Sequence, residues 1–77
     1  MVKAFILIEM MAGHATNFVN SLKGRPSVTS VDRVTGPYDV IVVIESDDVD
    51  KVSDIVSDEI HSKPGVVRTL TSVSLGQ

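Results

Sequence analysis

Two stretches of this chain, residues 2–10 and 40–45, place apolar and mostly β-branched or aromatic side chains at nearly every position, the first interrupted by Lys3 and Glu9. Such runs are short for a helix and too continuous for a strand with one wet face, so each reads as a strand that is apolar on both sides. In the first, Ala4, Ile6 and Ile8 oppose Phe5 and Leu7; in the second, Val40, Val42 and Ile44 oppose Ile41 and Val43. A strand of this kind belongs in the middle of a sheet, with something covering each face.

The segments around these runs supply the rest of the sheet. Ala15, Phe18, Val19 and Leu22 recur at i, i+3, i+4 and i+7, which predicts an amphipathic helix that stops near Gly24. After Arg25-Pro26, Val28, Ser30, Asp32 and Val34 alternate with Thr29, Val31, Arg33 and Thr35, as in a strand running to residue 35. The tight reversal Gly36-Pro37-Tyr38-Asp39 joins it to residues 40–45 as an antiparallel hairpin. Ser46, Asp47 and Asp48 are candidate N-caps for a second, longer helix whose apolar face is Val49, Val52, Ile55, Val56 and Ile60, and Lys63-Pro64-Gly65 ends it. Residues 66–75 form the last strand, with Val67, Thr69, Thr71, Val73 and Leu75 on one side and Val66, Arg68, Leu70, Ser72 and Ser74 on the other. The order βαββαβ with right-handed crossovers is an α+β, ferredoxin-like arrangement: a four-stranded antiparallel sheet, the first and third strands central, both helices on one face.

Two helices cover one face only. Phe5, Leu7, Ile41 and Val43 are left on the other, and a chain of 77 residues read as one domain, 1–77, has no further element to lay over them. It has no cysteine, so neither a disulfide nor a thiolate metal site can supplement the small core. A second copy is the expected supplement, giving a dimeric α/β-barrel with those four residues in the interface. At 43% hydrophobic and 22% charged residues, the chain is far from disordered compositions.

The formal charge is 7 − 10 = −3, with the basic residues scattered, and there are one Tyr and two Phe. Direct nucleic-acid binding is therefore not expected, because both the electrostatic footprint and the stacking aromatics are missing. No apolar run approaches the roughly 20 residues of a membrane span, and no signal-peptide pattern opens the chain, so a soluble cytoplasmic protein is the expectation. His14 and His61 lie far apart without carboxylates at ligand spacing; both read as solvated helix-terminal residues, and no metal or cofactor is expected. Asp47, Asp48, Asp50, Asp54, Asp58 and Glu59 read as the solvated face of the second helix. Nucleophile-elbow and phosphate-loop patterns are absent, so no catalytic residue is assigned. The turn Thr35-Gly36-Pro37-Tyr38-Asp39 and the polar side chains of the last strand remain. Structurally these are a turn and a guarded edge strand. Functionally, turn N–H groups suit a carboxylate, Asp39 suits an ammonium and threonine hydroxyls suit either, which together complement an amino-acid zwitterion.

The string from Val34 through Gly36-Pro37-Tyr38-Asp39 to Val43, followed by the helix and by Pro64-Gly65-Val66-Val67-Arg68-Thr69-Leu70-Thr71-Ser72, resembles the effector-binding domain of the Lrp/AsnC family over essentially the whole chain. The G-x-Y-D turn and the G-V-x-x-T-x-T strand together carry the resemblance. It implies sheets packed face to face in a homodimer, dimers assembled further as in a tetramer of dimers, and a small amino-acid effector held between dimers. By motif it points to Gly36, Tyr38, Asp39, Thr69, Thr71 and Ser72 as ligand-binding residues. The helix-turn-helix half of the family is not in this sequence, so the implied role is a non-enzymatic regulatory domain that modulates transcription by assembling with a DNA-binding relative. The alternative is a small dimeric α/β-barrel enzyme of the cofactor-free monooxygenase or isomerase type, for which only His14, Tyr38 and His61 are available as acid–base groups.

Overall fold

A computed structural model describes residues 1–76. The chain runs β1 (Val2–Met10), α1 (Ala15–Leu22), β2 (Val28–Arg33), β3 (Val40–Ser46), α2 (Val49–Ile55) with a π-helical continuation (Val56–Ile60), and β4 (Val66–Val73). The sheet order is β2-β3-β1-β4, every pair antiparallel, so the two-faced runs occupy the centre as their composition requires.

The β1–β3 register sets Ala4 against Ile44, Ile6 against Val42 and Ile8 against Val40. These six side chains face the helices and are fully buried. Phe18, Val19 and Leu22 of α1 close over them from one side, and Val52, Val56 and Ile60 from the other. Burial of each larger aliphatic side chain here is worth about 1.5–3 kcal/mol against exposure. Asp48 proves to be the N-cap of α2, its carboxylate accepting from the Lys51 N–H at 2.8 Å, while Ser46 is the last residue of β3.

Three local differences from the sequence pattern have plain causes. β2 ends at Arg33 rather than residue 35, because the Val34 N–H is already turned into the reversal to meet the Asp39 carbonyl at 2.9 Å. The second helix widens at Val56, where the His61 N–H reaches the Val56 carbonyl five residues back at 2.9 Å. β4 ends at Val73 rather than residue 75, the Ser74 N–H making the last rung to the Lys3 carbonyl. Where Glu9 and Met10 face Arg68 and Val66, the register slips and Val67 is left as a bulge.

The other face of the sheet carries no helix. Phe5 pairs with Val43 and with Ser72, and Leu7 pairs with Ile41 and with Leu70, so these residues form one continuous strip. Phe5 is 37% and Leu70 49% exposed. Lys3 and Glu45 stand opposite one another at one end, and the Glu9–Arg68 ion pair at 3.2 Å marks the other. Leu70, assigned to a polar strand by its neighbours in sequence, belongs to this apolar strip.

Candidate functional site

The turn residues Gly36, Tyr38 and Asp39 lie where β1 ends and β3 begins, and Thr69, Thr71 and Ser72 are spread along β4. Gly36 turns the chain with a φ of 114°, a conformation that L side chains rarely adopt. The turn delivers Asp39 to the end of the β1–β3 ladder: its N–H donates to the Ile8 carbonyl at 2.9 Å, and its Oδ2 accepts from the Met10 N–H at 2.8 Å. The carboxylate thus stands in for a strand carbonyl after Val40, leaving Oδ1 for another partner. Tyr38 is half-buried beside it, with the Arg68 guanidinium 5.7 Å from its ring centroid. Arg68 is in turn tied to Glu9, so an aromatic ring, a cation and a carboxylate close this end of the open face.

The last strand divides its candidates between two faces. Thr69 pairs with Ile8 and Thr71 with Ile6, which puts both on the helix side; Ser72 pairs with Phe5 on the open side. Thr69 therefore lies across β1 from Val40, the residue after Asp39, with Ile8 between them. Thr71 sits farther along, in a groove with Val49, Val52, Ser53, Val56 and Val73. The structure brings together Gly36, Tyr38 and Asp39 at the end of the β1–β3 ladder, places Thr69 across β1 on the helix side of β4, and sets Thr71 and Ser72 farther along that strand.

One residue read as merely solvated takes part. His61 Nε2 lies 2.8 Å from Thr69 Oγ1, placed there by the π-helical turn and the Pro64-Gly65 reversal. The imidazole and Thr69 line a cleft of about 410 Å³ with Val66, Val67 and Arg68. The larger cleft, about 470 Å³, lies between α1 and the Lys63-Pro64 turn and is lined by His14, Asn17, Phe18 and Ser21. His14 and His61 thus line separate clefts, and Tyr38 is under Arg68, so the three groups available for acid–base work do not converge. Among the described residues, no three His, Asp or Glu side chains converge as a metal site would require. Nor is any helix among them long and apolar enough to cross a membrane.

The family model of the Lrp/AsnC ligand binding domain matches residues 3–77. The HTH-type transcriptional regulator FL11 of Pyrococcus horikoshii is 33% identical over 72 residues, covering 94% of this chain and 47% of FL11, so the chain spans about half the length of that regulator. The crystal structure of FFRP-DM1 superposes with a TM-score of 0.91 at 31% identity, over 97% of this chain and 100% of that one. The transcriptional regulator NMB0573 from Neisseria meningitidis, solved as a complex with L-Met, superposes with a TM-score of 0.84 at 29% identity, over 96% of this chain and 49% of that one.

Proposed function

This chain belongs to the Lrp/AsnC ligand binding domain family, and on that premise we propose that it is a non-enzymatic, oligomeric sensor of a small amino acid that acts on transcription through a DNA-binding relative. The observation that supports the reading is the turn that holds Gly36, Tyr38 and Asp39 at the end of the β1–β3 ladder, with the Asp39 carboxylate as an acceptor for an ammonium and its Oδ2 fixed by the Met10 N–H. The complex of the related NMB0573 with L-Met supports an amino acid as the ligand class.

In this reading Phe5, Leu7, Ile41 and Val43, joined by Leu70, pack against the same strip of a second copy, and dimers assemble further, as in a tetramer of dimers. Gly36, Tyr38 and Asp39 hold the effector from one protomer. Thr69, Thr71 and Ser72, standing apart from them, contribute at the edges where copies meet. The effector binds one assembly state better than another, and by that difference alone it shifts the population of assemblies. The separate placement of His14, Tyr38 and His61 favours no enzymatic alternative. The reading places the protein in the cytoplasm, where a DNA-binding relative would act.

Native mass measurement with and without a mixture of the twenty standard amino acids tests both halves of the proposal. The expected result is a species of two copies or a multiple of two whose distribution changes when the mixture is added. A single-copy species at micromolar concentration, unchanged by the mixture, overturns it.

A further inference from the structure

We propose that the cleft between α1 and the Lys63-Pro64 turn is a second small-molecule site, separate from the turn at residues 36–39, and that it takes a small carboxylic acid with an apolar body and no ammonium group. The inference goes beyond the effector reading and does not depend on it, because this cleft is built on the helix side of the fold by other residues.

His14, Asn17, Phe18 and Ser21 follow one another at i, i+3, i+4 and i+7, so one stripe of α1 lines the cleft from end to end. Lys63 and Pro64 face that stripe from the turn that leads into β4. Both ends of the cleft are fastened without a ligand. At one end His14 packs on Gly65, where a side chain would collide with it, and the Gly65 carbonyl accepts from the Met11 N–H at 2.7 Å. At the other the Arg25 guanidinium donates to the Ser21 carbonyl at 3.4 Å and to the Glu59 carboxylate at 2.8 Å, which clamps α1 to the helical continuation of α2.

Charge selects the ligand. Lys63 is half-buried, and among the described residues no carboxylate lies within ion-pair reach of its ammonium. Glu59, four residues earlier, is taken by Arg25. The His14 imidazole and the Asn17 amide add hydrogen-bonding groups to a lining that contains no acidic side chain, in a chain whose formal charge is −3. An anion therefore meets a cation and donors with nothing to repel it. An ammonium brought in on the same ligand meets Lys63 and no carboxylate, an unfavourable placement that discriminates against amino acids. Phe18 and Pro64 give the cleft apolar surface, which an aliphatic or ring body covers and an inorganic anion leaves in water. At about 470 Å³ the cleft has room for such a body, within the range of small-molecule sites, roughly 300–1,000 Å³.

Amide NMR shifts of the full chain test the site with sodium 4-methylpentanoate and sodium benzoate as probes. The controls are L-leucine, which adds an ammonium to the first skeleton, 4-methylpentanamide, which removes its charge, and sodium phosphate, which has no apolar body. Saturable shifts along residues 14–21 and at Lys63 are expected with the two acids and with none of the controls. Lys63→Met and Asn17→Asp, the second placing a carboxylate in the lining, are each expected to weaken the acids about tenfold or more while the amide shifts of residues 2–10 stay native. Silence along α1 with both acids overturns the site, a result read on the native chain whatever the variants do. Saturation of the same residues by L-leucine, the amide or phosphate as tight as that by the acids overturns the ligand class. Acids that bind both variants as tightly as the native chain overturn the assignment of Lys63 and Asn17 to the site.

Discussion

The two faces of this sheet are made of the same strands and the same kinds of side chain, yet they meet different fates. Ala4, Ile6, Ile8, Val40, Val42 and Ile44 are fully buried beneath α1 and α2, whereas Phe5 and Leu70, on the opposite side, are 37% and 49% exposed. Residue type therefore does not decide which face becomes the core; the helices do. One face stores the stability of the single chain, and the other holds apolar surface that a single chain leaves in water. An apolar strip bounded by Lys3 and Glu45 at one end and by Glu9 and Arg68 at the other has the anatomy of an interface, an apolar centre inside a charged rim.

Substitutions at neighbouring positions of β1 test that division. Ile6→Ala opens a cavity under the helices and is expected to cost about 4 kcal/mol in urea denaturation, a large part of the stability of so small a domain. Leu7→Lys, one residue away on the open face, is expected to leave the single chain folded by circular dichroism and to weaken self-association about a hundredfold or more in sedimentation, the consequence of an unpaired charge in an apolar contact. If Leu7→Lys destabilises the single chain as much as Ile6→Ala does, the two faces are not separable in the way proposed.

A smaller effect probes how the helical cover is fastened to the sheet. Gly65 has a φ of 87°, and a Cβ there would collide with the His14 side chain, whereas a Cβ at Gly36 meets nothing nearby. The Gly65 carbonyl also accepts from the Met11 N–H at 2.7 Å, tying the start of β4 to the end of β1. Gly65→Ala is expected to destabilise by about 3 kcal/mol, summing backbone strain and crowding, and Gly36→Ala by about 1–2 kcal/mol from strain alone. Equal losses at the two positions would mean that the His14 contact is relieved without cost.

The architecture was legible because apolarity on both sides of residues 2–10 and 40–45 leaves only the centre of a sheet for them. The π-helical turn was not, since Val52, Val56 and Ile60 are spaced by four on either geometry, and one wide turn leaves no mark on that period. The turn at residues 36–39 was legible from Gly and Pro. That the Asp39 carboxylate would close the ladder at Met10 depends on where β1 stops relative to β3, which pattern alone does not set. His61 looked like a solvated helix end because its partner Thr69 lies across the Pro64-Gly65 reversal and a bulge at Val67, both three-dimensional facts. The alternation of the last strand was legible too: Thr69 and Thr71 share one side and Ser72 takes the other, as the β1–β4 register has it.

The weakest test concerns the outer surface of the helical cover, where solvent screens what the buried side of the same helix does not. The Lys51 ammonium is held above its ordinary value of 10.5, first by its hydrogen bond to Asp47, then by the charges of Asp47 and Asp48, against a small opposing desolvation. The unfolded chain releases this proton at the ordinary value, so the stabilisation is whole below that pH and is lost as pH rises through the higher folded value. The difference in urea midpoint between the native chain and Lys51→Met is therefore expected to be small and constant around neutral pH, and to shrink toward zero as the pH rises past the ordinary value and through the higher folded one. A difference that persists at that alkaline limit would mean that Lys51 acts through the packing of its methylene stem on α2, and that the cover is fastened on its outer surface as well as beneath.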